Sequence, residues 1–198
     1  MSTQRSPQAA PERKLRADAV RNRAGILEVA QRHFLAHGIG TSLEAIAKEA
    51  GVGAGTLYRH FPTREALLAA LLQRRTEEVV ASRDRIGQVG DPGEALREWM
   101  RAMEDYLSSY TGLPGPLAAA AQERDPDNPL TLPCEQLITA TQEYLHAAQQ
   151  AGVAHAWVRP RDLFLTAVSI AWVRGAGAAD DDSIAALRRL DESGYRPA

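Results

Sequence analysis

Between Thr41 and Leu68 the chain stops and restarts a helix in quick succession, and this punctuation narrows its possible folds more than any other stretch. It reads TSLEAIAKEAGVGAGTLYRHFPTREALL. Thr41 or Ser42 can cap a short helix, and Glu44 stands three residues after Thr41, where a capping box places a carboxylate. Leu43, Ile46 and Ala47 fall at the three- and four-residue spacings of one apolar helix face. Gly51 follows as a stop, since glycine enters the left-handed region without steric cost. A second short helix, about Ala54 to His60, is closed by Pro62. Two short helices joined by a glycine turn have the geometry of a helix-turn-helix, whose second helix enters the DNA major groove.

That second helix places Leu57 and Phe61, four residues apart, toward the core and leaves Thr56, Tyr58, Arg59 and His60 polar. A glycine inside a helix costs about 1 kcal/mol relative to alanine. Gly53 and Gly55 at the start of one short helix therefore imply that something must lie against it. Ala54, Gly55 and Thr56 are small enough to approach DNA closely. The plain alternative is an exposed helix with a flexible start.

Ala47, Ala50, Gly51, Val52, Gly55, Thr56, Leu57, Tyr58, His60, Phe61, Arg64, Glu65 and Leu67 together resemble the DNA-binding domain of the tetracycline-repressor (TetR) family. The likeness extends over about residues 18 to 72. It implies an all-α protein, with an N-terminal three-helix helix-turn-helix domain and a C-terminal helical ligand-binding and dimerisation domain. The expected division is a disordered basic tail at 1–15, the DNA-binding domain at 16–62 and the regulatory body at 63–198. By this resemblance Tyr58, His60 and Arg64 hold phosphates, with Thr41 or Ser42 at the start of the preceding helix. Ala54, Gly55 and Thr56 approach base edges, and Arg59 is the long side chain that can reach a guanine. Gly53 and Ala54 depart from a common family pattern of a serine and a longer polar residue, which shifts weight toward DNA shape.

Charge agrees with a polyanion at one end. The net charge of the whole chain is only −2, but residues 1–75 carry 12 Lys+Arg against 6 Asp+Glu, while residues 76–198 carry 11 against 19. A charge run alone is usually a solvated face; its coincidence with a helix-turn-helix favours DNA. The single cysteine, Cys134, excludes an internal disulfide and fits a reducing compartment. The longest apolar run, Leu163 to Val173, is about half of what spans a bilayer. The sequence reads as a soluble cytoplasmic protein with no membrane partner.

The remaining periodicities are helical. A first helix is expected from about Ala17 to His37, with Val20, Ala24, Leu27, Ala30 and Phe34 on its apolar face. Arg13, Lys14 and Arg16 before it can form a basic arm. His33 and His37 share a helix face, yet no carboxylate or cysteine close in sequence completes a metal site. A helix from about Thr63 to Arg85 links the two domains, and Asp91-Pro92-Gly93-Glu94 opens the next with a cap, an N1 proline and an N3 glutamate. Trp99, Met103, Tyr106 and Tyr110 form a stripe on that helix, read as plain core or as the wall of a ligand cavity together with Tyr144. Further helices are expected near 117–123, 133–151 and 160–175, with a last one capped by Asp180-Asp181-Asp182-Ser183. The 160–175 helix is apolar nearly all round, so it needs covering on two sides; pairing with its copy in a homodimer satisfies this.

The expected function is a homodimeric transcriptional regulator, a repressor on a near-palindromic operator in double-stranded DNA, released by a small apolar or aromatic effector. It needs no cofactor and no catalytic residues. Cys134, His146 and His155 lack the sequence context of a nucleophile and base. The rival is an all-helical binding or scaffold protein that uses a helix-turn-helix without DNA.

Overall fold

A computed structural model describes residues 9–197, and among these every regular element is a helix. The head consists of α1 (Ala9–His37), α2 (Leu43–Glu49) and α3 (Ala54–His60). Helix α4 (Arg64–Ile86) leaves it and runs into a body of α5 (Pro92–Leu107), α6 (Pro114–Glu123), α7 (Thr131–Gln150), α8 (Pro160–Gly175) and α9 (Asp181–Tyr195). Helices α5, α7 and α8 pack on one another, α4 lies against α5 and α7, α6 sits on α7 and α8, and α9 covers α8.

The caps explain most boundaries. Ser42, not Thr41, is the α2 cap, and its Oγ accepts the Ala45 N–H at 3.2 Å. Thr63 caps α4 through Ala66, Asp91 caps α5 through Glu94, and Asp180 caps α9 through Ser183. Gly51 sits at φ +69 and closes the α2–α3 turn. Helix α6 starts three residues earlier than expected because Pro114 occupies its first turn, where a missing N–H costs nothing.

Helix α1 differs most from expectation. It begins at Ala9, so residues 9–15 are helical where an irregular tail was expected. Ala9, Ala10, Glu12, Arg13 and Lys14 are good helix formers, and Pro11 falls where a first turn tolerates it. Residues 1–8, and the side chains of Arg13 and Lys14, lie outside those described; Arg16 is exposed. The buried face of α1 is Ile26, Val29, Ala30 and Phe34, whereas Val20 and Ala24 are exposed. The α2–α4 helices cover only the later turns of α1, so periodicity in the earlier turns has nothing to pack against.

The head and the body meet at a second place besides α4. The Ile39 N–H donates to the Thr111 carbonyl at 3.0 Å, joining the α1–α2 turn to the α5–α6 turn. Gly38, at φ +73, permits this approach: a Cβ there would lie 2.8 Å from the same Thr111 oxygen. Phe34 meets Tyr110 edge-on across this joint, with centroids 5.9 Å apart.

Candidate nucleic-acid interface

Helix α3 is anchored by one fully buried residue, Leu57, with Phe61 buried at its C-cap. The Arg23 guanidinium lies over the Phe61 ring, 5.1 Å from its centroid. Because α3 is so short, burying this side turns Gly53, Ala54, Gly55, Tyr58 and Arg59 outward. An added Cβ at Gly53 or Gly55 would meet no atom within 4 Å. The protein itself therefore does not need glycine at either position for space.

Among the expected contact residues the structure makes three groups. In the first, the Tyr58 hydroxyl donates to Glu44 Oε1 at 3.0 Å and the Ser42 hydroxyl donates to Glu44 Oε2 at 2.8 Å. Its own backbone N–H, then these two hydroxyls, hold Glu44 below the usual carboxylate range. The same bond pushes the Tyr58 phenol up. In the second, Arg59 folds back along α3: Nε donates to the Gly55 carbonyl at 3.2 Å and Nη2 to Thr56 Oγ1 at 2.9 Å. In the third, Arg64 Nη1 donates to the Ile39 carbonyl and, at 2.7 Å, to the Thr41 carbonyl. Arg64 thus ties the first turn of α4 to the α1–α2 turn, and that guanidinium nitrogen is engaged by protein. Thr41 is half-buried with Oγ1 3.4 Å from His33 Nδ1, while His60 is half-buried beside Phe61.

The orientation of α2 rests on contacts that sequence spacing does not reveal. Glu49, at its last turn, accepts from Arg32 Nη2 at 2.8 Å and contacts His33 Nε2 at 2.7 Å. A carboxylate does therefore reach His33, contrary to the reading from sequence neighbours, but it arrives from another helix and also serves Arg32. Glu44 and Glu49 are the residues of the head whose structural roles the sequence understated. An outward carboxylate within a basic head was the available signal.

The residues expected to wall a ligand cavity pack as core. Trp99, Met103, Tyr106, Tyr110 and Tyr144 are all buried. Trp99 stacks on Tyr144 at 5.2 Å and donates its indole N–H to Thr141 at 2.9 Å. Tyr106 shares a 2.8 Å hydrogen bond with Thr76, and Tyr144 donates to the Arg83 carbonyl at 3.2 Å. Tyr106 and Tyr144 thereby grip α4. Open space lies instead along α4 and α7. A groove of about 370 Å³ is lined by Thr76, Glu77, Leu132 and Gln136 among others. A second, of about 380 Å³, shares those four residues and continues to Arg23 on α1. Tyr144 borders a third, near Gly87 and Ala147. Cys134 is fully buried, donates to the Leu117 carbonyl, and is pushed up to about 12 by burial, which keeps it a thiol.

An all-helical chain with a three-helix head, an outward α3 and a larger helical body defines a helix-turn-helix protein with an attached regulatory-type domain. The family model for bacterial regulatory proteins of the tetR family matches residues 26–71, and that for the C-terminal domain of SbtR-like transcriptional regulators matches residues 91–197. The chain belongs to the TetR family. The TetR transcriptional regulator SCO0520 from Streptomyces coelicolor is 33% identical, with 89% of this chain and 99% of that one covered and a TM-score of 0.56. An HTH-type transcriptional regulator of Staphylococcus aureus is 35% identical over 97 residues, which cover 48% of this chain and 51% of the relative. The chain thus spans about half the length of the curated relatives it matches. The structure of RolR with resorcinol shares the fold at a TM-score of 0.63 and 18% identity, covering 90% of this chain and 89% of that one. Among the described residues no helix is long and apolar enough to cross a membrane.

Proposed function

We propose that this chain is a sequence-specific DNA-binding transcriptional regulator that acts as a homodimeric repressor and leaves its operator when a small apolar or aromatic effector binds. One observation carries the reading: at Gly53 and Gly55 an added Cβ would meet no protein atom within 4 Å, and Ala54 between them and Tyr58 and Arg59 on the same helix are exposed. Small residues there let a base edge come close, and hydroxyls there suit phosphate oxygens. On this reading Ser42, Tyr58 and His60 position the duplex, while Ala54, Gly55, Thr56 and Arg59 face the bases. Arg64 contributes by holding the α1–α2 turn and by its charge.

Residues 16–62 form the DNA-binding head and 63–198 the body in this reading, joined through α4. Dimerisation uses α8 and α9, where Leu165, Trp172 and Leu190 are exposed. Each protomer then presents one α3, and the operator is near-palindromic. An effector acts only through its differential affinity for the conformation that does not bind DNA. The Thr76–Tyr106 and Tyr144–Arg83 bonds are suitable levers, since disturbing either loosens the body's hold on α4. Selection of bound sequences from random duplex DNA, followed by binding at increasing salt, tests the reading. A protein that shows no salt-dependent duplex binding is a scaffold, and the proposal fails.

A further inference from the structure

Glu44 occupies an unusual place for an acidic residue on a surface meant to face DNA. Its two carboxylate oxygens each accept a hydroxyl, one from Ser42 and one from Tyr58. Both hydroxyls are proposed phosphate donors. The positive charge of Arg64 also bears on Glu44. Glu44 is exposed, as are Ser42 and Tyr58. A carboxylate with one hydroxyl on each oxygen offers the same acceptor pattern as the two non-bridging oxygens of a phosphodiester.

We infer that Glu44 is an intramolecular competitor of the DNA backbone: it fills the anion seat between Ser42 and Tyr58, and a phosphate must displace it before the head can close on a duplex. The inference rests on the DNA-binding reading above and deepens it by assigning the residue that sets the strength of backbone contact. The physical consequence follows from charge. Until Glu44 turns away, its carboxylate repels the incoming phosphate and withholds both donors. Turning away gives up two hydrogen bonds, once in each protomer. Because backbone contacts carry no base information, this cost falls equally on operator and random duplex. Weakening both leaves discrimination to the bases, while keeping the protein from lodging on arbitrary DNA.

The test compares Glu44→Gln and Glu44→Ala with the wild-type dimer on a selected operator and on a random duplex of the same length. Glu44→Gln keeps hydrogen-bonding atoms at the site but removes the charge. It should tighten binding to both duplexes by a similar factor, roughly tenfold for the dimer, the scale of two exposed charge contacts. The ranking of operator variants should not change. Glu44→Ala should tighten binding at least as much, with a thermal melt confirming that the head remains folded. In a Tyr58→Phe background the gain from Glu44→Gln should shrink, since one contested donor is gone. If Glu44 instead merely orients Tyr58, then Glu44→Gln is neutral and Glu44→Ala weakens binding; either result overturns the inference. A wild-type protein that binds no duplex at low salt sinks the DNA-binding reading itself, whereas wild-type binding that Glu44→Gln fails to tighten sinks only this one.

Discussion

The outer edge of α3 and the aromatic stripe of α5 are both rich in chemistry, yet they solve opposite problems. The stripe holds Trp99, Met103 and Tyr106, with Tyr110 in the turn beyond the helix end, large residues whose space is filled and whose indole and phenol groups at Trp99 and Tyr106 are bonded to Thr141 and Thr76. The α3 edge holds Gly53, Ala54 and Gly55, small residues with open space before them. Large amphipathic side chains can satisfy themselves inside a fold, so their presence does not by itself mark a binding wall. Gly55 weakens the first turn of α3 while filling no tight spot, which is harder to explain from within the molecule. The unused room on α3 is thus better evidence of a partner than the aromatic surface in the body.

The costliest single change should be in the filled stripe. Trp99→Ala removes a fully buried indole and leaves Thr141 without its donor, so unfolding by urea should show a loss of about 3–5 kcal/mol. A loss under about 1 kcal/mol would mean that the stripe lines yielding space after all. Next in size is the outer face of α8. Glu at both Leu165 and Trp172 should leave the fold stable, since these side chains are 40% and 57% exposed. It should produce monomers in sedimentation and lower operator affinity roughly a hundredfold, through loss of the second half-site. A stable dimer would discredit α8 as the interface.

Gly55→Ala probes the open space on α3. Alanine favours the helix by about 1 kcal/mol, and nothing in the protein obstructs its methyl group. The variant should melt higher yet bind the best operator about tenfold more weakly, as for one lost close contact. Equal binding would show that the space is unused. The smallest effect concerns polar burial in the body. Asp191 is pushed up to about 6, first by burial and then by repulsion from Glu104. The folded state thus binds this proton more tightly than the unfolded chain does. Its stabilising contribution is full below the unfolded value near 3.8 and is lost as pH rises through about 6. Asp191→Asn should flatten stability over that window; an unchanged profile would assign the dependence to other groups.

Local signals carried much of the fold. Pro92 after Asp91, Pro160, the aspartates at 180–182 and the glycine at 51 mark helix ends through backbone geometry, which neighbouring residues decide, and these boundaries lie close to where they were expected. Helix α3 matches its expected span because Gly53 stands at its N-cap and Pro62 follows its C-cap Phe61. Periodicity failed where packing partners were lacking, as on the early turns of α1, where Val20 is 69% exposed. The choice of Ser42 over Thr41 as the cap also lay beyond the pattern, since either residue fits it.

Neighbouring residues alone dictate a chain of capped helices, a glycine-hinged pair among them, and a small-residue edge on the second of that pair, because propensity, capping and turn chemistry act within a few residues. Helix packing is what sets Glu44 between Ser42 and Tyr58, carries Arg64 back to Ile39 and Thr41, closes Glu49 on His33, and fills the space around the Trp99 stripe. Each of these joins side chains from different helices or from across a turn. Their meeting depends on how the helices pack, and no local spacing encodes that.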